Sequence, residues 1–197
     1  MAFHYAVVLT GSIATGKSSV ATIFSSFGWH IIDADTLAHK ILDEQSEEIS
    51  RLFGKVLVEN GKVLRKELGK IIFHDMKKKE ELESLLHPLI YEEIEYLSTQ
   101  EDEYEKPYLI DIPLFFETNR YPIEKSLVVY TRKEKQLKRL MQRDGYNKAE
   151  ALSRIESQMD IEEKRKSATY VIDNSGDLNH LKHECERVKE IILGDFR

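Results

Sequence analysis

At 197 residues, with 41% hydrophobic and 32% charged side chains, the chain can fill one core with a small inserted lobe, but hardly two independent domains. A formal net charge of −6, from 35 acidic and 29 basic residues, argues against a nucleic-acid protein, which would carry a dominant basic face. The single cysteine, Cys185, excludes an intrachain disulfide and a thiolate-only metal site, and its charged helical surroundings mark it as inert. No apolar run approaches the roughly 20 residues that span a bilayer. The opening "MAFHYAVV" lacks a basic stretch and a cleavage site, so no membrane partner and a cytoplasmic location are expected.

The first apolar run, residues 5–10, predicts a strand and breaks into a small-residue loop over residues 11–16. Val20, Ile23, Phe24 and Phe27 then recur at helical spacing, and Gly28 is a natural helix stop. Residues 29–33 predict a second strand. More than about 70 residues without a convincing strand follow, in which Leu82, Leu85, Leu86, Leu89, Ile90, Ile94 and Leu97 form a helical stripe. His87-Pro88 interrupts that stripe, so a new helix or a kink is expected at Pro88. Strands are predicted again at residues 108–113, 127–131 and 170–172. Between the last two lies a charged helical insertion, residues 133–166, whose sparse core stripe suits a mobile cover. Strand-helix alternation with little polar alternation inside the strands predicts a parallel α/β sheet covered on both faces. The expected division is a core (about 1–36, 107–132 and 168–197), a helical lobe (about 37–106) and a lid (about 133–167).

The loop after the first strand reads "GSIATGKS", the full G-x-x-x-x-G-K-[ST] pattern between a strand and a helix. Small residues let the backbone curl so that its N–H groups cradle phosphate oxygens, and the helix adds its positive end. Gly11, Ala14, Thr15, Gly16, Lys17, Ser18 and Ser19 are therefore candidate nucleotide-binding residues. Lys17 would reach the β- and γ-phosphates and Ser18 would offer a hydroxyl to Mg²⁺. "IIDADTLAH" places Asp33 and Asp35 at a strand end, where one is expected to cap the next helix and the other to take a proton from an acceptor hydroxyl. "LIDIPLFFE" ends the third strand with Asp111, placed to hold Mg²⁺ through water, with Glu117 a few residues on. "KEKQLKRLMQRD" sets Arg139 and Arg143 four apart on one helical face, followed by Arg154 and the run Lys164, Arg165, Lys166. Such a face could close over phosphates and stabilise transferring charge.

These stretches, with "LLHPLIYEEI", "ALSRIESQ" and "ATYVIDNSG", resemble the dephospho-CoA kinase family over nearly the whole chain. The resemblance implies a P-loop kinase fold with a five-stranded parallel core, a helical CoA-binding lobe and a lid. It implies phosphorylation of the ribose 3′-hydroxyl of 3′-dephospho-CoA by ATP with Mg²⁺, by a monomer or small homo-oligomer. On the matching positions, Asp35 would be the catalytic base, Lys17 and Thr10 would flank the phosphates, and Arg143 would be the lid arginine. His87, Asp111 and Leu114 would lie on the substrate side, and Asn174 would lie where the adenine is held. The loop departs from the family pattern, which has Gly, Gly, Ser and Thr where this chain has Ser12, Ala14, Thr15 and Ser19. Ala14 is the notable one, because glycine there can serve a positive φ.

Two other readings start from the same loop. A nucleoside monophosphate kinase would share core and lid, but the long insert with His87-Pro88 favours a larger acceptor. A guanine-nucleotide switch would need Asn-Lys-x-Asp after a strand. The nearest string, Asn147 to Glu150, ends in Glu within a charged helical insertion.

Overall fold

The structure is a computed structural model and describes residues 2–197. In chain order the elements are β1 (Ala6–Gly11), α1 (Lys17–Ser26), β2 (Ile31–Asp33), α2 (Ala34–Glu44) and α3 (Ser46–Phe53). A short 3₁₀ turn leads to β3 (Val58–Glu59), β4 (Lys62–Val63), α4 (Arg65–His74), α5 (Met76–Asp102), β5 (Tyr108–Asp111) and α6 (Phe115–Thr118). Then come β6 (Ser126–Tyr130), α7 (Lys133–Asp144), α8 (Lys148–Glu156), α9 (Ile161–Ser167), β7 (Tyr170–Asp173) and α10 (Leu178–Asp195). The chain separates into two compact units, one running to Ile32 and resuming over Ser98–Arg197, the other Asp33–Leu97.

All five apolar runs become strands of one parallel sheet, in the order β2-β5-β1-β6-β7. Their lack of polar alternation has a simple cause: β1 is buried at every position, because both faces are covered. On one face Val7, Leu9, Leu109, Leu127, Val129 and Ile172 pack against Val20 and Phe24 of α1 and Leu181, Cys185, Val188 and Ile192 of α10. On the other, Val128 and Tyr130 meet Ile161 of α9. Cys185 is fully buried, and burial pushes its thiol up to about 12, so it carries no thiolate at neutral pH.

The second unit has its own core of Leu42, Ile49, Leu57, Val63, Leu68 and Leu82, with Leu85 and Leu86 packed against it. Two sequence expectations change here. Between the second and third strands of the main sheet there is a hairpin, β3 pairing antiparallel with β4. Its signal is Asn60-Gly61, which turn with φ of 51° and 74°, the two positive values that a tight two-residue hairpin needs. Strands of two residues are too short to show an alternating pattern. The second change is at Pro88, where no new helix starts: α5 runs through it from Met76 to Asp102. Pro88 removes one backbone donor, yet Leu82 before it and Ile94 after it are both buried, so packing holds the helix on either side.

Candidate active site

The site begins where β1 ends. Gly11 closes the strand, and a side chain there would have its Cβ 2.7 Å from Thr15 Oγ1 and 3.0 Å from the Val129 carbonyl. At the other end of the loop, Gly16 has φ 97°, and a Cβ would lie 2.1 Å from Asn174 Nδ2. Both glycines of the pattern are thus required by close approach, and the second also by its backbone angle. Between them Ala14 takes φ 61°, the left-handed angle for which glycine would be better suited. Its methyl group is packed, with Ile13, against Leu140, Ala151 and Ile155 of α7 and α8, which offsets part of that cost. Helix α1 starts at Lys17 with no side chain capping it and no acidic residue in its first turn. Its N-terminal N–H groups and positive end are directed to whatever anion enters.

A cavity of about 790 Å³ opens over this loop. Gly11, Ala14, Gly16, Lys17, Ser18 and Ser19 line one side, Arg139, Gln142 and Arg143 another, and Asn174, Gly176 and Leu178 a third. Lys17 Nζ donates to both carboxylate oxygens of Asp111, at the end of the neighbouring strand β5. The cation and the acid that a phosphate and its metal would require therefore already face each other. Thr10 and Thr15 are fully buried, and their hydroxyls donate to Pro113 O at 3.1 Å and Ser12 O at 2.9 Å. Both side chains brace the backbone and do not line the cavity.

The two arginines on α7 have separate fates. Arg139 is half-buried, and its guanidinium donates to Ala14 O (3.3 Å), Thr15 O (3.1 Å) and Asn174 O (3.0 Å). Burial lowers its pKa from the ordinary arginine value. Arg143 lines the cavity with its side chain 62% exposed, forked onto Asp144 at 2.8 and 2.9 Å. Asn174 is buried at the turn after β7, and its Nδ2 donates to Thr15 O at 2.7 Å. Its amide group is therefore committed to the loop, while the residue still forms part of the cavity wall.

The match to known proteins covers this whole arrangement. The sequence model of the dephospho-CoA kinase family matches residues 5–180. The chain belongs to the dephospho-CoA kinase family. A dephospho-CoA kinase of Sulfurimonas denitrificans is 54% identical over 196 residues, covering 100% of this chain and 98% of that one. One from Wolinella succinogenes is 42% identical over 195 residues, covering 98% and 97%. The solved structure of dephospho-CoA kinase from Campylobacter jejuni superimposes with a TM-score of 0.80 at 39% identity, covering 98% of this chain and 99% of its own. Members of the family use ATP to carry out the final step of coenzyme A biosynthesis.

Dephospho-CoA kinases must also handle an acceptor, and the residues predicted for it are divided between the two units. Asp33 is the N-cap of α2, its side chain accepting from Thr36 N at 2.9 Å. Asp35 stands in the first turn, exposed. So one aspartate of the pair caps the helix, as expected, and the other has its carboxylate turned to solvent. His87 is half-buried in the middle of α5. In the first unit, Leu114 precedes α6 with 42% of its surface exposed. The string Asn147 to Glu150 is a helix start: Asn147 Oδ1 accepts from Glu150 N at 3.0 Å, and Glu150 Oε2 accepts from Asn147 N at 2.9 Å. Its polar groups are consumed in that capping box, so it reads no guanine base.

The charged insertion departs most from expectation. Its sparse core stripe predicts a mobile cover, whereas Leu140, Ala151 and Ile155 form a buried cluster. Lys164, expected on a phosphate-facing surface, is instead fully buried beneath the loop. Arg165 lies over the Tyr130 ring at 4.5 Å, and Arg154 over Tyr146 at 4.4 Å. Gln158, missed in the sequence, accepts from Ile13 N at 2.7 Å. The available signal for Lys164 was its spacing of three from Ile161, which puts both on the sheet-facing side of α9.

Proposed function

We propose that this chain transfers the γ-phosphoryl group of MgATP to the ribose 3′-hydroxyl of 3′-dephospho-CoA, giving CoA and ADP. One observation carries the reading. A glycine-bounded loop opens an uncapped helix, and its lysine meets the Asp111 carboxylate beside a cavity large enough for a nucleotide. Magnesium keeps much of its water shell and takes one or two protein oxygens besides the phosphates. The Ser18 hydroxyl and the Asp111 carboxylate are such a set. Among the described residues no cluster of three or more His, Cys, Asp or Glu suggests a different metal. A bound Mg²⁺ would draw charge from the β- and γ-phosphate oxygens.

In this reading the backbone of Gly11, Ala14, Thr15, Gly16, Lys17, Ser18 and Ser19 holds the phosphates, and Lys17 neutralises the transferring group. Asn174 and the turn after it border the adenine. Asp35 accepts the proton of the attacking hydroxyl, its open position leaving room for an acceptor. Arg143, free of the loop-bracing contacts of Arg139, turns from Asp144 to the equatorial oxygens. Residues 133–167 form the lid, and residues 37–106 form the CoA-binding lobe, with His87 and Leu114 on the acceptor side. Among the described residues no helix is long and apolar enough to cross a membrane. A cytoplasmic monomer or small homo-oligomer fits this reading.

The test is direct. Incubation with MgATP and dephospho-CoA should yield CoA, detected by mass. Asp35→Asn should then lower turnover by roughly 10²–10⁴ with ATP affinity unchanged, the range for a general base. Asp33→Asn should act on stability through the cap and leave most of the turnover. Normal turnover in Asp35→Asn beside a dead, folded Asp33→Asn would reverse the assignment.

A further inference from the structure

The phosphate loop is held from behind by groups that the reaction itself does not use, and they converge on one lysine. Lys164 Nζ donates to Gly11 O at 3.0 Å and approaches Pro113 O at 3.5 Å, and it pairs with Glu117 Oε1 at 2.7 Å. The lysine side chain is wholly buried, while that of Glu117 is 20% exposed. Gly11 ends β1 and opens the phosphate loop, and Pro113 lies two residues past Asp111 at the end of β5. One ammonium thus ties the ends of two adjacent strands, β1, which opens into the loop leading to Lys17, and β5, which carries Asp111. The tie is itself fixed. Glu117 Oε1 also accepts from Met159 N at 3.1 Å, and Ser12 Oγ donates to Met159 O at 3.4 Å.

Stability alone does not account for a charge in this position. Removing an ammonium from water is costly, and replacing paired charges of this kind by apolar side chains is often neutral or stabilising. An apolar side chain, however, cannot hold two carbonyl oxygens and a carboxylate at set distances from a single point. We infer that Lys164 and Glu117 are positioning residues for phosphoryl transfer, setting the spacing between the phosphate loop and the strand end that carries Asp111. Through that spacing they keep Lys17 and Asp111 in register with the phosphates. Neither residue itself lines the nucleotide cavity; Lys164 reaches it only through the carbonyls of Gly11 and Pro113, which do. The inference rests on the phosphotransfer reading, and its test separates the two.

The decisive variant is Lys164→Met combined with Glu117→Gln, which removes the cation without leaving a carboxylate unpaired. Misplacement by about 1 Å can cost a reaction roughly 10²-fold. The double variant should melt near the wild-type temperature, while kcat/KM for MgATP falls by about 10- to 10²-fold. Affinity for dephospho-CoA alone, measured by calorimetry, should not change. Glu117→Ala should give a smaller loss in the same direction. Glu117→Gln, which keeps an oxygen for both Lys164 and Met159, should recover most of it. If the double variant does not fold, Glu117→Ala decides. A lowered melting temperature with wild-type kcat/KM for MgATP, measured well below melting, would mean a merely structural tie and overturn the inference. Affinity for a non-hydrolysable ATP analogue gives the same comparison without any acceptor. A wild-type protein that makes no CoA, while its analogue affinity still drops in the variants, would sink the functional reading and leave the positioning role standing.

Discussion

The sheet and the helices α7–α9 belong to the same compact unit, yet they are held by different forces. In the sheet, Val7, Leu9, Leu127, Val129 and Ile172 are entirely buried among many apolar neighbours, so no single contact decides its position. The helices bury a smaller apolar set, Leu140, Ala151 and Ile155, with Ile13 and Ala14 of the loop packed on them and Ile161 against the sheet. Polar contacts from Arg139, Gln158 and Lys164 fix individual atoms of the loop. Apolar burial is non-directional and scales with area, whereas a hydrogen bond fixes one distance and one angle. The sheet therefore supplies stability, and the helices supply the loop's exact placement. Mutations in the two regions should separate these quantities.

The largest effect is expected at Arg143. An arginine supplied in cis to a transferring phosphoryl group can be worth roughly 10³–10⁵ in rate. Arg143→Ala should lose turnover on that scale with an unchanged melting temperature, since the side chain is exposed and forks onto the adjacent Asp144. Arg143→Lys should restore a part, because an ammonium keeps the charge and loses the planar fork. Steady-state kinetics with thermal melts check both. Full activity in Arg143→Ala would remove this residue from the mechanism.

In the sheet the opposite pattern is expected. Ile172→Ala should cost about 2–5 kcal/mol of stability through lost burial and the cavity left behind. Well below its lowered melting temperature, its KM for ATP should match the wild type, because Ile172 faces α1 and α10 and not the site. Denaturant unfolding and kinetics on the same sample test this. A raised KM at full folding would break the division of labour between the two regions.

The smallest effect, at Ala14, sharpens the comparison where the regions meet. Ala14→Gly relieves a left-handed backbone angle, worth about 1–2 kcal/mol, and deletes a methyl group packed on α7 and α8, worth about 0.8 kcal/mol. The greater freedom of glycine in the unfolded chain opposes the relief further. The terms nearly cancel, so stability should stay within about 1 kcal/mol of wild type in denaturant unfolding. A loss of several times that amount would show that the methyl contact, and not the tie through Lys164, anchors the loop.

Much of the fold was legible because its signals are local. Apolar runs at strand length, a helical stripe after a glycine-bounded loop and the eight residues from Gly11 to Ser18 placed the sheet, α1 and the nucleotide end. The Asn60-Gly61 hairpin is equally local, but its two-residue strands carry no alternating pattern to mark it. At Pro88 the sequence left a new helix or a kink open, since proline's local preference is against a helix interior, and burial on both sides keeps one helix running through it.

By itself, then, the sequence determined the parallel sheet, the phosphate loop with Lys17 and Ser18, and Asp111 at a strand end. Each follows from backbone sterics and apolar patterning within a few residues. It also narrowed Asp33 and Asp35 to one helix cap and one residue for chemistry. Only the tertiary structure decided that Asp33 is the cap. It decided also that Arg139 braces the loop while Arg143 faces the cavity, and that one lysine of a charged run lies buried under Gly11. The physical reason is that a long charged side chain stays in water unless buried acceptors offset the cost of leaving it, and the neighbouring sequence does not show whether they will. The outcome depends on whether acceptors distant in sequence, here Gly11, Pro113 and Glu117, are brought to one place by the folded chain.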